Sequence, residues 1–154
     1  MKLLGSTIGI ALVLVYAVGS GMLVNTRDGW FSGINKPSWQ PPAYVPGLIW
    51  PYCFVVLGIA AVLVSNRLSA LATSLYLAIF AVTVAAALTW AYQFFRQHNL
   101  EASAIALTIL SALTIVLIII AARASWPVAS ALVVYQLWIM TATALGWAYV
   151  RLNQ

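Results

Sequence analysis

Trp30-Phe31-Ser32-Gly33-Ile34-Asn35-Lys36-Pro37-Ser38-Trp39-Gln40-Pro41-Pro42-Ala43-Tyr44-Val45-Pro46-Gly47-Leu48-Ile49-Trp50 is the one long segment of this chain that is neither uniformly apolar nor short. Four prolines (Pro37, Pro41, Pro42, Pro46) alternate in it with four aromatic anchors, Trp30, Trp39, Tyr44 and Trp50. Proline fixes φ, removes a backbone donor and pushes the residue before it out of the helical region. The segment is therefore predicted to be a stiff, non-helical connection. Its rings, apolar in body and polar at the edge, suit a membrane–water boundary. Such stiffening predicts a structured lid rather than a tether.

What flanks this segment is almost uncharged. The 154 residues are 64% hydrophobic and 6% charged, with a mean hydropathy of +1.02. A soluble domain carries about a quarter charged residues, so this composition cannot cover a water-facing surface. The net charge of +5 comes from Lys2, Arg27, Lys36, Arg67, Arg96, Arg123 and Arg151, almost all between apolar runs. Basic residues at helix ends are the ordinary membrane pattern, and no nucleic-acid partner is expected. Cys53 is alone, which excludes an intrachain disulfide and a cysteine metal cluster.

Charges and turn residues divide the chain into five apolar runs, about residues 3–24, 47–65, 70–93, 102–122 and 127–150. Each is near the roughly 20 residues that cross a bilayer as a helix. Backbone groups in lipid must be satisfied internally, and no run shows the alternation of a barrel strand. The expected fold is an all-α integral membrane protein, one domain over 1–154, with a long structured loop between its first two helices. The first run is too long for a signal-peptide core of roughly 7–15 residues and reads as a retained helix.

Within these helices, spacing marks the candidate faces. Gly5 and Gly9 allow close backbone approach, either inside the monomer or at a dimer seam. Trp50, Phe54 and Gly58 share one face of the second helix, which starts at or just before Trp50 with Pro51 in its first turn. They form a ligand notch or a packing surface. Trp90 and Phe94 stack at the end of the third helix, as interfacial belt or pocket wall. The fourth helix reads as lipid-facing scaffold, with Glu101 near its N-terminus. Tyr135, Trp138, Ala142, Leu145 and Tyr149 make one stripe on the fifth. Leu145, Tyr149 and Arg151 also fit the proposed cholesterol-contact pattern.

Several absences narrow the function. No Asp, Glu, Lys, Arg or His lies in the middle of any run, so an ion-coupled pump lacks its usual machinery. His98 is the sole histidine and no metal site is expected. There is no phosphate loop and no Ser/His/Asp set. Clustered indoles and phenols remain, which suit a flat, apolar, aromatic ligand. Orientation is undetermined, because Lys2, Arg67 and Arg123 on one side nearly balance Arg27, Lys36, Arg96 and Arg151 on the other.

Taken together, these residues resemble the translocator protein/tryptophan-rich sensory protein (TspO) family. Trp30, Lys36, Pro37, Trp39, Pro41, Pro42 and Trp50 match its first-loop motif at the correct spacing. Trp90 with Phe94-Phe95 resembles the family's W-x-x-x-F-F, and Tyr135, Trp138, Ala142 and Leu145 resemble its fifth-helix motif. The chain departs at Tyr44, Pro46 and Leu48, at Val134, and at Ala87 and Gly146, where the family usually has asparagine.

The resemblance implies a homodimeric five-helix bundle with a cavity between helices closed by the first loop. It implies porphyrin ligands such as protoporphyrin IX or heme, or sterols, and no required cofactor. Ligand-lining residues are then expected to be Trp30, Trp39, Trp50, Phe54, Trp90, Phe94, Tyr135, Trp138 and Ala142. The leading expectation is a membrane receptor or sensor rather than an enzyme. The alternatives are light-dependent porphyrin breakdown through Trp50 and Trp138, and transport of porphyrin or lipid.

Overall fold

Local signals set the helix ends. Ser69 Oγ accepts from the Ala72 N–H at 3.3 Å and Asn99 Oδ1 from the Ala102 N–H at 3.0 Å, each capping a first turn. Pro127 sits at the start of the last helix, where its missing N–H costs no hydrogen bond. Glu101 lies in a first turn, and Arg67, Arg123 and Arg151 lie in last turns. All four complement the helix dipoles. The computed structural model describes residues 2–154. Its elements are α1 (Lys2–Leu23), α2 (Trp30–Gly33), α3 (Val45–Arg67), α4 (Ala70–Phe95), α5 (Leu100–Ala124) and α6 (Trp126–Leu152). No strand occurs among the described residues.

The five long helices have 22 to 27 residues each and are apolar enough to span a membrane. At 1.5 Å per residue they reach roughly 33–40 Å, enough for the hydrocarbon core. The protein is an all-helical, multi-pass integral membrane protein. The spans close into a ring in the order α1, α3, α6, α5, α4 and back to α1, with α3 also touching α4 and α5 across the middle.

Small residues set the tightest approaches. Gly9 lies directly against Ala61 of α3, so a Cβ there would overlap the alanine methyl. The Gly5/Gly9 surface of α1 is thus used inside the monomer, against α3 and α4. At Gly146 a Cβ would sit 3.4 Å from the Ala104 backbone and 3.3 Å from Leu107, so this position packs α6 onto α5.

Three readings are corrected. The first loop is not wholly non-helical: Asp28 Oδ1 accepts from the Trp30 N–H at 3.1 Å and opens the single turn α2. The second span starts at Val45, before Trp50, because Pro46 occupies a first-turn position that needs no donor. Pro51 consequently falls inside α3 rather than in its first turn, and leaves the Gly47 carbonyl without its i+4 donor. The fourth span is not simply lipid-facing. Ser103, Leu107, Leu110, Thr114 and Leu117 are buried on a helix that packs against α4, α6 and α3, while Ile105, Ile109 and Ile119 are exposed.

Candidate functional site

Trp50 is the hub of the bundle interior. Its ring stacks on Phe54 (centroids 5.8 Å, 23°) and on Trp90 of α4 (6.1 Å, 25°). Trp138 of α6 meets it edge-on at 6.4 Å and Tyr16 of α1 at 5.8 Å. Tyr16 also packs edge-on to Phe54 at 5.1 Å. Four helices therefore contribute rings to one cluster, in the stacked and edge-to-face arrangements that aromatic quadrupoles favour. Beside it, the fully buried hydroxyls of Tyr16 and Tyr135 share a hydrogen bond of 3.0 Å. Ala142 packs half-buried against the same core. The Nε1 of Trp138 is buried without an acceptor among the described residues, a donor available to whatever parts these rings.

A second cluster sits under the first loop. Trp30 packs edge-on to Phe94 at 5.2 Å and stacks on His98 at 4.2 Å and 11°. His98 adopts φ 56°, a left-handed conformation uncommon outside glycine. Its Nε2 lies 3.3 Å from Asp28 Oδ2. Phe31 meets Phe94 and Tyr149 edge-on, and Lys36 Nζ lies 4.8 Å over the Phe31 ring. Trp90 joins the clusters, touching Phe95 at 6.1 Å as well as Trp50.

Hydrogen bonds fasten the loop to the end of α6. The Asn35 N–H donates to Asn153 Oδ1 at 2.8 Å, and Asn153 Nδ2 donates to the Asn35 carbonyl at 3.0 Å. Tyr149 donates its hydroxyl proton to Gln40 Oε1 at 2.6 Å. The first connection is a docked cap.

The sequence-predicted residues thus fall into groups. Trp50, Phe54, Trp90 and Trp138 meet in one ring cluster, Tyr135 reaches it through its hydrogen bond to Tyr16, and Ala142 packs against the same core, while Trp30 and Phe94 belong to the layer above. Trp39 joins neither: it is 52% exposed on the outside of the loop, and Tyr44 is 68% exposed. Leu145, Tyr149 and Arg151 do not share a lipid-facing surface, because Tyr149 is turned inward toward Phe94 and Gln40 while Arg151 is exposed. Reading from sequence missed Tyr16, Phe31 and the Trp30–His98 stack. A phenol alone in the apolar run of α1 was a usable signal, because a buried hydroxyl needs a partner.

A five-span membrane bundle with an aromatic interior beneath a proline-stiffened cap is the class that fold and site define. The TspO/MBR family profile matches residues 8–152, and the chain belongs to that family. It is 27% identical to protein CrtK of Rhodobacter capsulatus over 94% of each chain. It is 26% identical to the tryptophan-rich protein TspO of Bacillus cereus, over 87% of each chain. Similarity extends to the human translocator protein, at 26% identity over 88% of this chain and 82% of the relative.

Proposed function

We propose that this protein is a membrane receptor or sensor for a flat, apolar, aromatic ligand of the porphyrin type, with sterols as the second ligand class. The observation that carries this reading is Trp50, one indole in contact with rings from α1, α3, α4 and α6 beneath the docked cap. A planar guest exchanges these ring–ring contacts for its own face, and the unmatched Trp138 Nε1–H favours a guest with an acceptor near its edge. The names of relatives, "tryptophan-rich sensory protein" and "translocator protein", agree with a sensing or receiving role. Protoporphyrin IX titrated into the purified protein is expected to quench tryptophan fluorescence saturably, with weakened binding in Trp50→Ala and Trp138→Ala. Saturable binding untouched by both substitutions moves the site elsewhere and refutes the reading.

The Tyr16 edge contact with Trp50 favours a second reading, light-dependent porphyrin breakdown. A photoexcited porphyrin that takes an electron from Trp50 becomes a radical anion and leaves an oxidised indole beside a phenol hydrogen-bonded to Tyr135, with dissolved dioxygen as the oxidant that then opens the ring. Under illumination in detergent, porphyrin absorption then decays faster with the parent protein than with Trp50→Phe. Equal decay removes this reading.

A further inference from the structure

On the outer surface of the bundle, α1 and α3 leave between them an open groove of about 490 Å³. Its wall is apolar almost throughout, with Ile10, Val13 and Ala17 on one side and Phe54, Gly58 and Val62 on the other. Gly58 lies buried at its floor, where a Cβ would touch the Ile10 and Val13 side chains of α1 at 3.5 and 4.0 Å. Phe54 belongs to two places at once. It lines the groove, and it also stacks on Trp50 and meets Tyr16 in the interior cluster. One phenyl ring is therefore shared by the lipid-facing groove and the proposed ligand site.

The opposite approach, through the loop, is closed by different means. Asn35 and Asn153 exchange hydrogen bonds, Tyr149 holds Gln40, and Trp30 stacks on His98 and packs edge-on to Phe94. Passage there requires several hydrogen bonds and stacked contacts to break together. On the groove side the shared element is the Phe54 ring, held by ring packing and by no hydrogen bond of its own. An apolar guest is moreover concentrated in lipid rather than in water.

We infer that the α1/α3 groove is a lateral doorway by which a membrane-dissolved, flat apolar ligand reaches the Trp50 cluster, with Phe54 as its gate. The inference rests on the binding reading above and deepens it: the ligand arrives from the bilayer, and the loop is a fixed cap rather than the point of admission. A gate alters the barrier between two end states and not the states themselves, so association and dissociation rates change together.

The test uses the full chain in lipid vesicles, with protoporphyrin IX predissolved in the bilayer and stopped-flow tryptophan quenching as readout. Ile59→Phe narrows the groove from a lining position that is 47% exposed, and Val55→Phe covers its rim from one that is 62% exposed, so both spare the packed core and add no tryptophan to the readout. Both are expected to slow association and dissociation about tenfold while the equilibrium constant stays within about twofold. Asn35→Ala with Asn153→Ala, which loosens the cap, is expected to leave the association rate unchanged. The doorway is overturned if both groove variants bind at the parental rate, or if loosening the cap accelerates binding while narrowing the groove does not. Loss of saturable quenching in the parent protein refutes the binding reading itself, an outcome distinct from either.

Discussion

The bond between Tyr16 and Tyr135 ties α1 to α6 across the bundle, and its worth can be worked out in advance. Both side chains are fully buried and their oxygens are 3.0 Å apart. Tyr16→Phe removes one hydroxyl and leaves the other without its partner in surroundings that water does not reach. An abandoned buried polar group costs about 1–3 kcal/mol, and hydrogen bonds between membrane helices run toward the lower end, at about 0.6–1.7 kcal/mol. Each single substitution, Tyr16→Phe or Tyr135→Phe, is therefore expected to destabilise by about 1 kcal/mol, or about 2–4 °C in Tm for a chain of this size. The double substitution removes both polar groups and keeps both rings, so it should fall within about 0.5 kcal/mol of the parent. The coupling is then about 1–2 kcal/mol. Reversible unfolding in mixed micelles, followed by circular dichroism, measures all four proteins. A double variant as unstable as the sum of the singles refutes the argument, because the two hydroxyls would then be acting independently.

Other outcomes follow from the same packing. Gly9→Ala places a methyl on Ala61 with no flexible side chain to yield, and should cost about 1–3 kcal/mol in the same unfolding assay. Gly146→Asn restores the residue usual in the family but drives a larger group toward the Ala104 backbone, so it should destabilise more than Gly146→Ala. Asn153→Ala breaks the clasp on Asn35, and amide hydrogen exchange over residues 34–40 should rise at least about tenfold while the core helices keep their protection. Trp39→Ala, at a half-exposed ring, should change stability by less than about 0.5 kcal/mol. Weakened porphyrin quenching in that same variant would place Trp39 over the ligand, whereas unchanged quenching removes it from the site.

The spans were legible because a bilayer leaves so few alternatives. Runs free of charge, ending at Arg67, Arg96 and Arg123, mark helices by elimination. The caps at Ser69 and Asn99 lay within the expected links. The proline-rich segment was harder, since a proline that breaks a helix from within is also welcome in its first turn. Pro46 took the second role and moved the start of α3 to Val45. Side chains sharing a face could be read from spacing, as with Trp50 and Phe54 or Tyr135 and Trp138. Which faces meet could not, because contacts between distant helices leave no mark in local spacing. Hence Tyr16 was hidden behind the glycines of its own helix, and Trp30 and Phe94 separated into a layer above the Trp50 site.

Trp90 gives this architecture a property that neither cluster has alone. Its ring touches Phe95, under the cap, and Trp50, at the centre. Phe95 packs edge-on to Phe94 at 4.8 Å, and Trp30 and Phe31 both rest on Phe94, so ring contacts run unbroken from Trp50 to the cap. The interior cluster and the cap are thereby packed as one continuous aromatic run rather than as two separate units.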